Sequence, residues 1–243
     1  MPTSTQSLRE IITIHPSAAS VLHRFDIDLC AWGDKSLDEA CAEQQLSVDQ
    51  VLDKLTDAEA HEAGASAFDP SALPLGRLIQ HIVRVHHHCV RQELPRLAEM
   101  ASKLAVKRSD EYPEMKRVAR LVANLRDHML AHIQKEEMVL FPFISRMDQE
   151  SIVEYPLDHA RFRSLMDPVS IMLEQHEAAD HLSVELRRLA DGYKPPAWAC
   201  TTHYALLAGL REFEADLMQH VHLESDVLFP RAIEMEAVLN NRR

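Results

Sequence analysis

One stretch of this chain occurs twice, and it limits the possible folds more than any other feature. His132-Ile-Gln-Lys-Glu136-Glu-Met-Val-Leu-Phe141-Pro142 returns 88 residues later as His220-Val-His-Leu-Glu224-Ser-Asp-Val-Leu-Phe229-Pro230. Both copies are His-x-x-x-Glu followed by an apolar run that ends in Val-Leu-Phe-Pro. In a helix, residues i and i+4 share one face about 6 Å apart along the axis, so each copy aims an imidazole and a carboxylate the same way. A lone buried histidine is more often a hydrogen-bonded core residue, and a lone exposed His-x-x-x-Glu more often a solvated pair. Two copies in matching context reverse that preference and point to a metal site with two-fold character.

The composition suits helices around such a site. Of 243 residues, 46% are hydrophobic and only 5% aromatic, with five glycines. The apolar set is mainly Leu, Ala, Val, Met and Ile, which favours helix over sheet. A formal charge of −12 argues against a nucleic-acid surface. No apolar run approaches the roughly 20 residues of a membrane span, and no signal-peptide core opens the chain. Cys30, Cys41, Cys89 and Cys200 have no C-x-x-C spacing, so a reducing, cytoplasmic setting is expected.

Along the chain, Ser7…Glu10, Ser36…Glu39 and Ser47…Gln50 have capping-box spacing, predicting short helices within a small domain over 1–62. An Ala-, Gly-, Ser- and Pro-rich linker is expected over 63–74. Four long helices then follow over 75–243: about 75–107, with a kink at Pro95, 113–147, 168–191 and 199–238. These predict an all-α fold, an antiparallel four-helix bundle with apolar stripes facing inward. The order of ligand types is single His, His-x-x-x-Glu, single His, His-x-x-x-Glu, as in an internal duplication. His176 supplies the second single histidine. The first lies among His86, His87 and His88: His86 is in phase with Ile79 and Ile82, His87 with Val83, Val90 and Leu94.

Four imidazoles and two carboxylates exceed the needs of one tetrahedral zinc and suit two metal ions, with Glu136 and Glu224 placed to bridge. A nitrogen and oxygen donor set without thiolate points to iron or manganese before copper(I), with zinc also compatible. Ferritin-like bundles use Glu-x-x-His, so the reversed order and the spacing of four separate this chain from them. His128, one turn before His132, is a candidate ligand or supporting hydrogen-bond donor.

At these residues the chain resembles the hemerythrin-like di-iron proteins, and more closely the Repair of Iron Centers (ScdA-type) family. The resemblance rests on Arg84-Val-His86, both His-x-x-x-Glu motifs with their Leu-Phe-Pro tails, Glu174-Gln-His176, Ala199-Cys-Thr-Thr202, and Phe25-Asp-Ile-Asp28 followed by Cys30. It implies that His86 is the first-helix ligand. The metal set is then His86, His132, Glu136, His176, His220 and Glu224, holding two non-haem irons with oxo and carboxylate bridges. It also implies a role in nitrosative or oxidative stress, with iron–sulfur proteins as partners and nitric oxide or dioxygen as ligand. The family commonly has a Cys-Cys pair where this chain has Cys30-Ala31. Sequestration of nitric oxide or dioxygen without repair is therefore the alternative from the binding class. Nitric oxide or peroxide reduction is the alternative from the enzyme class, and no catalytic residue is assigned for it.

Overall fold

Two serine caps start the N-terminal helices, as their spacing predicts. Ser7 and Ser36 each accept the backbone N–H of the glutamate three residues on, and Glu10 and Glu39 accept the serine N–H in return. The two helix starts also satisfy each other. Leu8 and Arg9 donate to the carbonyls of Lys35 and Gly33 (3.0 and 2.9 Å), and Leu37 and Asp38 donate to those of Gln6 and Ser4 (3.0 and 2.9 Å). Four N–H groups without partners inside their own helices are thereby paired.

The computed structural model describes residues 2–15, 18–25, 27, 32–64, 70–107, 112–150, 164–197 and 199–241. Among these the structure is helical, apart from an isolated bridge between Ser7 and Ser36. Four short or medium helices come first: α1 (Leu8–Ile14), α2 (Ala18–Arg24), α3 (Leu37–Glu43) and α4 (Val48–Gly64). Four long ones follow. α5 covers 75–107 as Leu75–Ile82, a π-helical turn Val83–His87, and His88–Lys107. α6 covers 115–150 as Met115–Lys135, a π turn Glu136–Leu140, and Phe141–Glu150. α7 is Met166–Leu189. α8 covers 201–241 as Thr201–His222, a π turn Leu223–Leu228, and Phe229–Asn241. The long helices fall where the periodicity places them, and they form a helical bundle. None of the described helices is long and apolar enough to cross a membrane. Cys30 and the central part of the expected linker, 65–69, lie outside the described residues.

The chain divides into two compact units: Met1–Phe68 with Pro95–Val122 and Leu186–Phe213, and Asp69–Leu94 with Ala123–Glu185 and Glu214–Arg243. Within the first, Gly33 meets the start of α8 so closely that a Cβ would overlap the Thr201 side chain. The break after α7 is made by Asp191, Gly192 and Tyr193, all at positive φ, and Tyr112 donates its hydroxyl proton to the Leu189 carbonyl at 3.0 Å. Within the second unit, Leu75, Leu78, Ile82, Leu140, Phe141, Ile144, Val169, Met172, Leu228 and Phe229 share a buried core. The Glu236 carboxylate accepts the Leu165 N–H there, next to the first turn of α7.

The π turns have a consequence for register. A π turn holds one residue more than an α turn, so the buried stripe steps by one position across it. On α5 the stripe Leu75, Leu78, Ile79, Ile82 continues to His86, and a second stripe, Val90, Leu94, Leu97, begins at His87. Both histidines are buried, although adjacent residues on a regular helix point about 100° apart. The same step buries Leu140 with Phe141 and Leu228 with Phe229. Phe141 and Phe229 donate their N–H five residues back, to the carbonyls of Glu136 and Glu224. Pro142 and Pro230 then stand at the start of a fresh α segment, where a residue without N–H is tolerated. The Leu-Phe-Pro tail is the sequence mark of this bulge.

Candidate metal centre

Two groups of buried side chains meet in the second unit. His87, Glu136, His220 and Glu224 form one, and His132, Glu136, His176 and Glu224 form the other. Within each, one ligand atom per residue lies within 4.8 Å of the others. Both glutamates belong to both groups and are fully buried. Glu136 stands 3.4 Å from His87 Nε2 through Oε2 and 3.3 Å from His132 Nε2 through Oε1. Glu224 stands 3.0 Å from His220 Nε2 and 3.5 Å from His87 Nε2 through Oε1, and 3.0 Å from His176 Nε2 through Oε2. Each carboxylate therefore turns one oxygen towards each group, as a bridging ligand must.

The structure brings together five of the six expected residues and replaces the sixth. His86 is not in either group. Its Nδ1–H donates to Asp216 Oδ1 at 2.8 Å, and its ring stacks against His220 at 5.8 Å with 4° between planes. From the first helix it is His87, not His86, that stands with the two glutamates. The physical reason is the π turn. An α-helical stripe extended from Ile79 and Ile82 arrives at His86, whereas the stripe counted back from Leu94 and Val90 arrives at His87. His128 is also outside the groups, with Nε2–H donating to the Gln175 carbonyl at 2.8 Å.

The outward ring nitrogens of His87, His132 and His176 are held by residues that periodicity did not single out, whereas His220 Nδ1 is buried without a hydrogen bond. His87 Nδ1–H donates to Glu137 Oε1 at 2.7 Å, and Glu137 Oε2 pairs with Arg91 at 2.7 Å. His132 Nδ1–H donates to Gln175 Oε1 at 3.1 Å, and His176 Nδ1–H to Ser225 Oγ at 2.9 Å. The tail phenylalanines brace the two single histidines: Phe141 stacks on His87 at 5.5 Å and Phe229 on His176 at 6.1 Å. In both halves the residue following the shared glutamate accepts the N–H of the single histidine, and the residue five positions after that glutamate covers the ring.

Donating Nδ1–H outward leaves Nε2 as an inward lone pair. The His132 and His176 Nε2 atoms face each other at 3.0 Å. His87 Nε2, His220 Nε2 and all four oxygens of Glu136 and Glu224 are buried without a hydrogen bond. Uncompensated, each buried carboxylate costs several kcal/mol. Separations of 3.0 to 3.5 Å match the edge of a coordination polyhedron with bonds of about 2.1 Å. The donor set thus fits divalent or trivalent cations bound by nitrogen and oxygen.

The electrostatics agree. Burial and then the Glu224 charge hold the Glu136 carboxyl well above the usual range. Burial opposes ionisation of Glu224 too, but the imidazoles of His220, His176 and His87 keep it well below that range. Burial pushes His132 down to about 3. Burial acts the same way on His220, where the Glu224 and Asp216 charges prevail and raise it. Glu136 and His220 are therefore the groups that hold a proton more tightly than usual, and that proton competes with a cation. Metal loading is expected to release protons, and affinity to weaken as pH falls, by up to about tenfold per pH unit for each proton released. Titration calorimetry in buffers of different ionisation enthalpy checks this. Proton-neutral loading would contradict it.

Comparison with known proteins adds three findings. The hemerythrin HHE cation binding domain family matches residues 78–232. The ScdA_N family, described as a domain of unknown function, matches residues 4–59. The chain is 31% identical over 234 residues to the iron-sulfur cluster repair protein YtfE of Enterobacter sp. (strain 638), covering 95% of this chain and 98% of that one. The proteins of the same name from Musicola paradisiaca (strain Ech703) and Escherichia coli O1:K1 / APEC are 32% and 31% identical, covering 96% and 95% of this chain and 98% of each.

Proposed function

The chain belongs to the hemerythrin-like iron–sulfur cluster repair family, and from that premise we propose that it is a di-iron stress protein that binds nitric oxide and supplies iron to damaged clusters. The observation that supports this most is the pair of four-residue groups sharing Glu136 and Glu224. Two ions joined by two carboxylates suit a nitrogen and oxygen donor set of this size, and iron is the metal that the family's task requires. When bound, the iron pair supplies affinity for a diatomic ligand and a releasable ion. The protein's own side chains do the rest: His87 and His220 would hold one ion, His132 and His176 the other, and Glu136 and Glu224 would be shared between them. The buried apolar shell keeps bulk water from the carboxylates. A cytoplasmic location is part of this reading, supported by the thiols of Cys41 and Cys200, which form no disulfide among the described residues.

The test is recovery of an iron–sulfur hydro-lyase inactivated by nitric oxide. Anaerobically iron-loaded protein is expected to restore its activity. Glu136→Leu, which removes one bridging carboxylate, is expected to reduce recovery at least tenfold. Cys30 followed by Ala31 favours a second reading, sequestration of nitric oxide alone. It predicts stoichiometric nitrosyl formation with no recovery of the target enzyme.

A further inference from the structure

The internal duplication is not carried through to the hydrogen bonds behind the ligands. Behind His87 stands a carboxylate, Glu137, held in place by Arg91. A second carboxylate, Asp216, one turn earlier on α8, is tied to His86, whose ring stacks on His220; His220 Nδ1 itself makes no hydrogen bond, so the hydrogen-bonded carboxylate of this group is Glu137 alone. The other group has only neutral partners. His132 donates to the Gln175 amide and His176 to the Ser225 hydroxyl, at 3.1 and 2.9 Å against 2.7 Å for His87 and Glu137. Glu137 and Ser225 occupy equivalent places in the two halves, each following a bridging glutamate, so carboxylate and hydroxyl can be compared directly.

From this we infer that the two metal positions are unequal, and that the ion held by His132 and His176 is the one released first. An imidazole that donates to a carboxylate is a stronger electron-pair donor than one that donates to a neutral oxygen. The shared ligands cannot supply the difference, because Glu136 and Glu224 each present one oxygen to either group. Removing one such supporting partner changes metal affinity about 10- to 100-fold, so the two ions leave at clearly separated rates. The inference rests on the di-iron reading above. It adds to that reading which iron is cargo and which stays to hold the fold of the centre.

The experiment is release of ferrous iron from the full-length protein to a competing chelator, followed by absorbance under anaerobic conditions. Two phases of equal amplitude are expected, separated by a factor of 10 or more. Glu137→Gln, which keeps the shape and removes the charge, is expected to accelerate the slow phase and leave the fast phase unchanged. Ser225→Asp is expected to slow the fast phase, which a merely destabilised variant does not do. Mössbauer spectra of the oxidised protein should show two iron environments, with only one altered by Glu137→Gln. A single phase from a centre with two irons overturns the inequality while leaving the di-iron reading intact. Equal acceleration of both phases by Glu137→Gln also overturns it. A chain that binds fewer than two irons would instead contradict the di-iron reading.

Discussion

His87→Ala is expected to cut the iron bound per chain from two to about one, while His86→Ala leaves it at two. The two residues are neighbours, both buried and both histidine, so composition and burial alone do not separate them. Their directions do. His87 Nε2 stands 3.4 Å from Glu136 and 3.5 Å from Glu224, with its other nitrogen anchored on Glu137. His86 spends its Nδ1–H on Asp216 and presents its ring face to His220. Loss of His87 removes one of two imidazoles from one position. Loss of His86 removes ring contacts with His220 and His81 and a support for Asp216, an effect of about tenfold or less in affinity at that position. Iron analysis of both variants, loaded anaerobically and freed of excess metal, checks the expectation. Two irons retained in His87→Ala, or one lost in His86→Ala, would assign the ligand to His86 instead.

The second large effect concerns stability. Removing the metal from the protein is expected to lower Tm by roughly 10 °C or more. An ion present at about a thousand times its Kd stabilises the folded state by about 4 kcal/mol, and each kcal/mol is about 2–4 °C for a chain of this size. The metal-free protein also carries a pH signature. Glu136 and His220 have raised values when folded, so the folded state holds more protons than the unfolded one as pH climbs through that window, and stability falls with rising pH. His132 acts oppositely, with stability lost as pH drops from 6.5 towards 3. Above pH 6.5 only the falling contribution remains. Glu136→Gln mimics the protonated carboxyl. It is expected to flatten that decline and to leave the metal-free protein as stable as the parent or more so, while the loaded protein becomes less stable. Thermal unfolding of both proteins, with and without metal between pH 6 and 9, reads this directly. Parallel shifts in loaded and metal-free protein would show that Glu136 acts only as a packing residue.

Much of this was legible along the chain. The serine caps of α1 and α3 were marked by Ser-x-x-Glu, because a capping box is closed by residues three apart and needs nothing from elsewhere. The long helices follow from apolar periodicity, and the Asp191-Gly192 break from turn chemistry. Five of the six clustered residues were recognisable because the duplication repeats both the ligand types and the Leu-Phe-Pro tail. His87 was harder to assign. Its two candidate stripes are each correct on their own side of Val83–His87, and the one-residue mismatch between them was itself the signal of a bulge.

The partners of the centre were not visible in that way. Glu137 and Ser225 follow their glutamates without any distinguishing spacing, and Asp216 meets His86 across 130 positions. A helix period records which face of a segment is buried, since that depends on residues three and four apart. It carries nothing about the residue that stands opposite on another helix. The doubled His-x-x-x-Glu therefore specifies a paired metal site within a helical bundle from local order alone. Which histidine turns inward, and which ring has a carboxylate behind it, is decided only when α5, α6, α7 and α8 pack together and the widened turns settle against their neighbours.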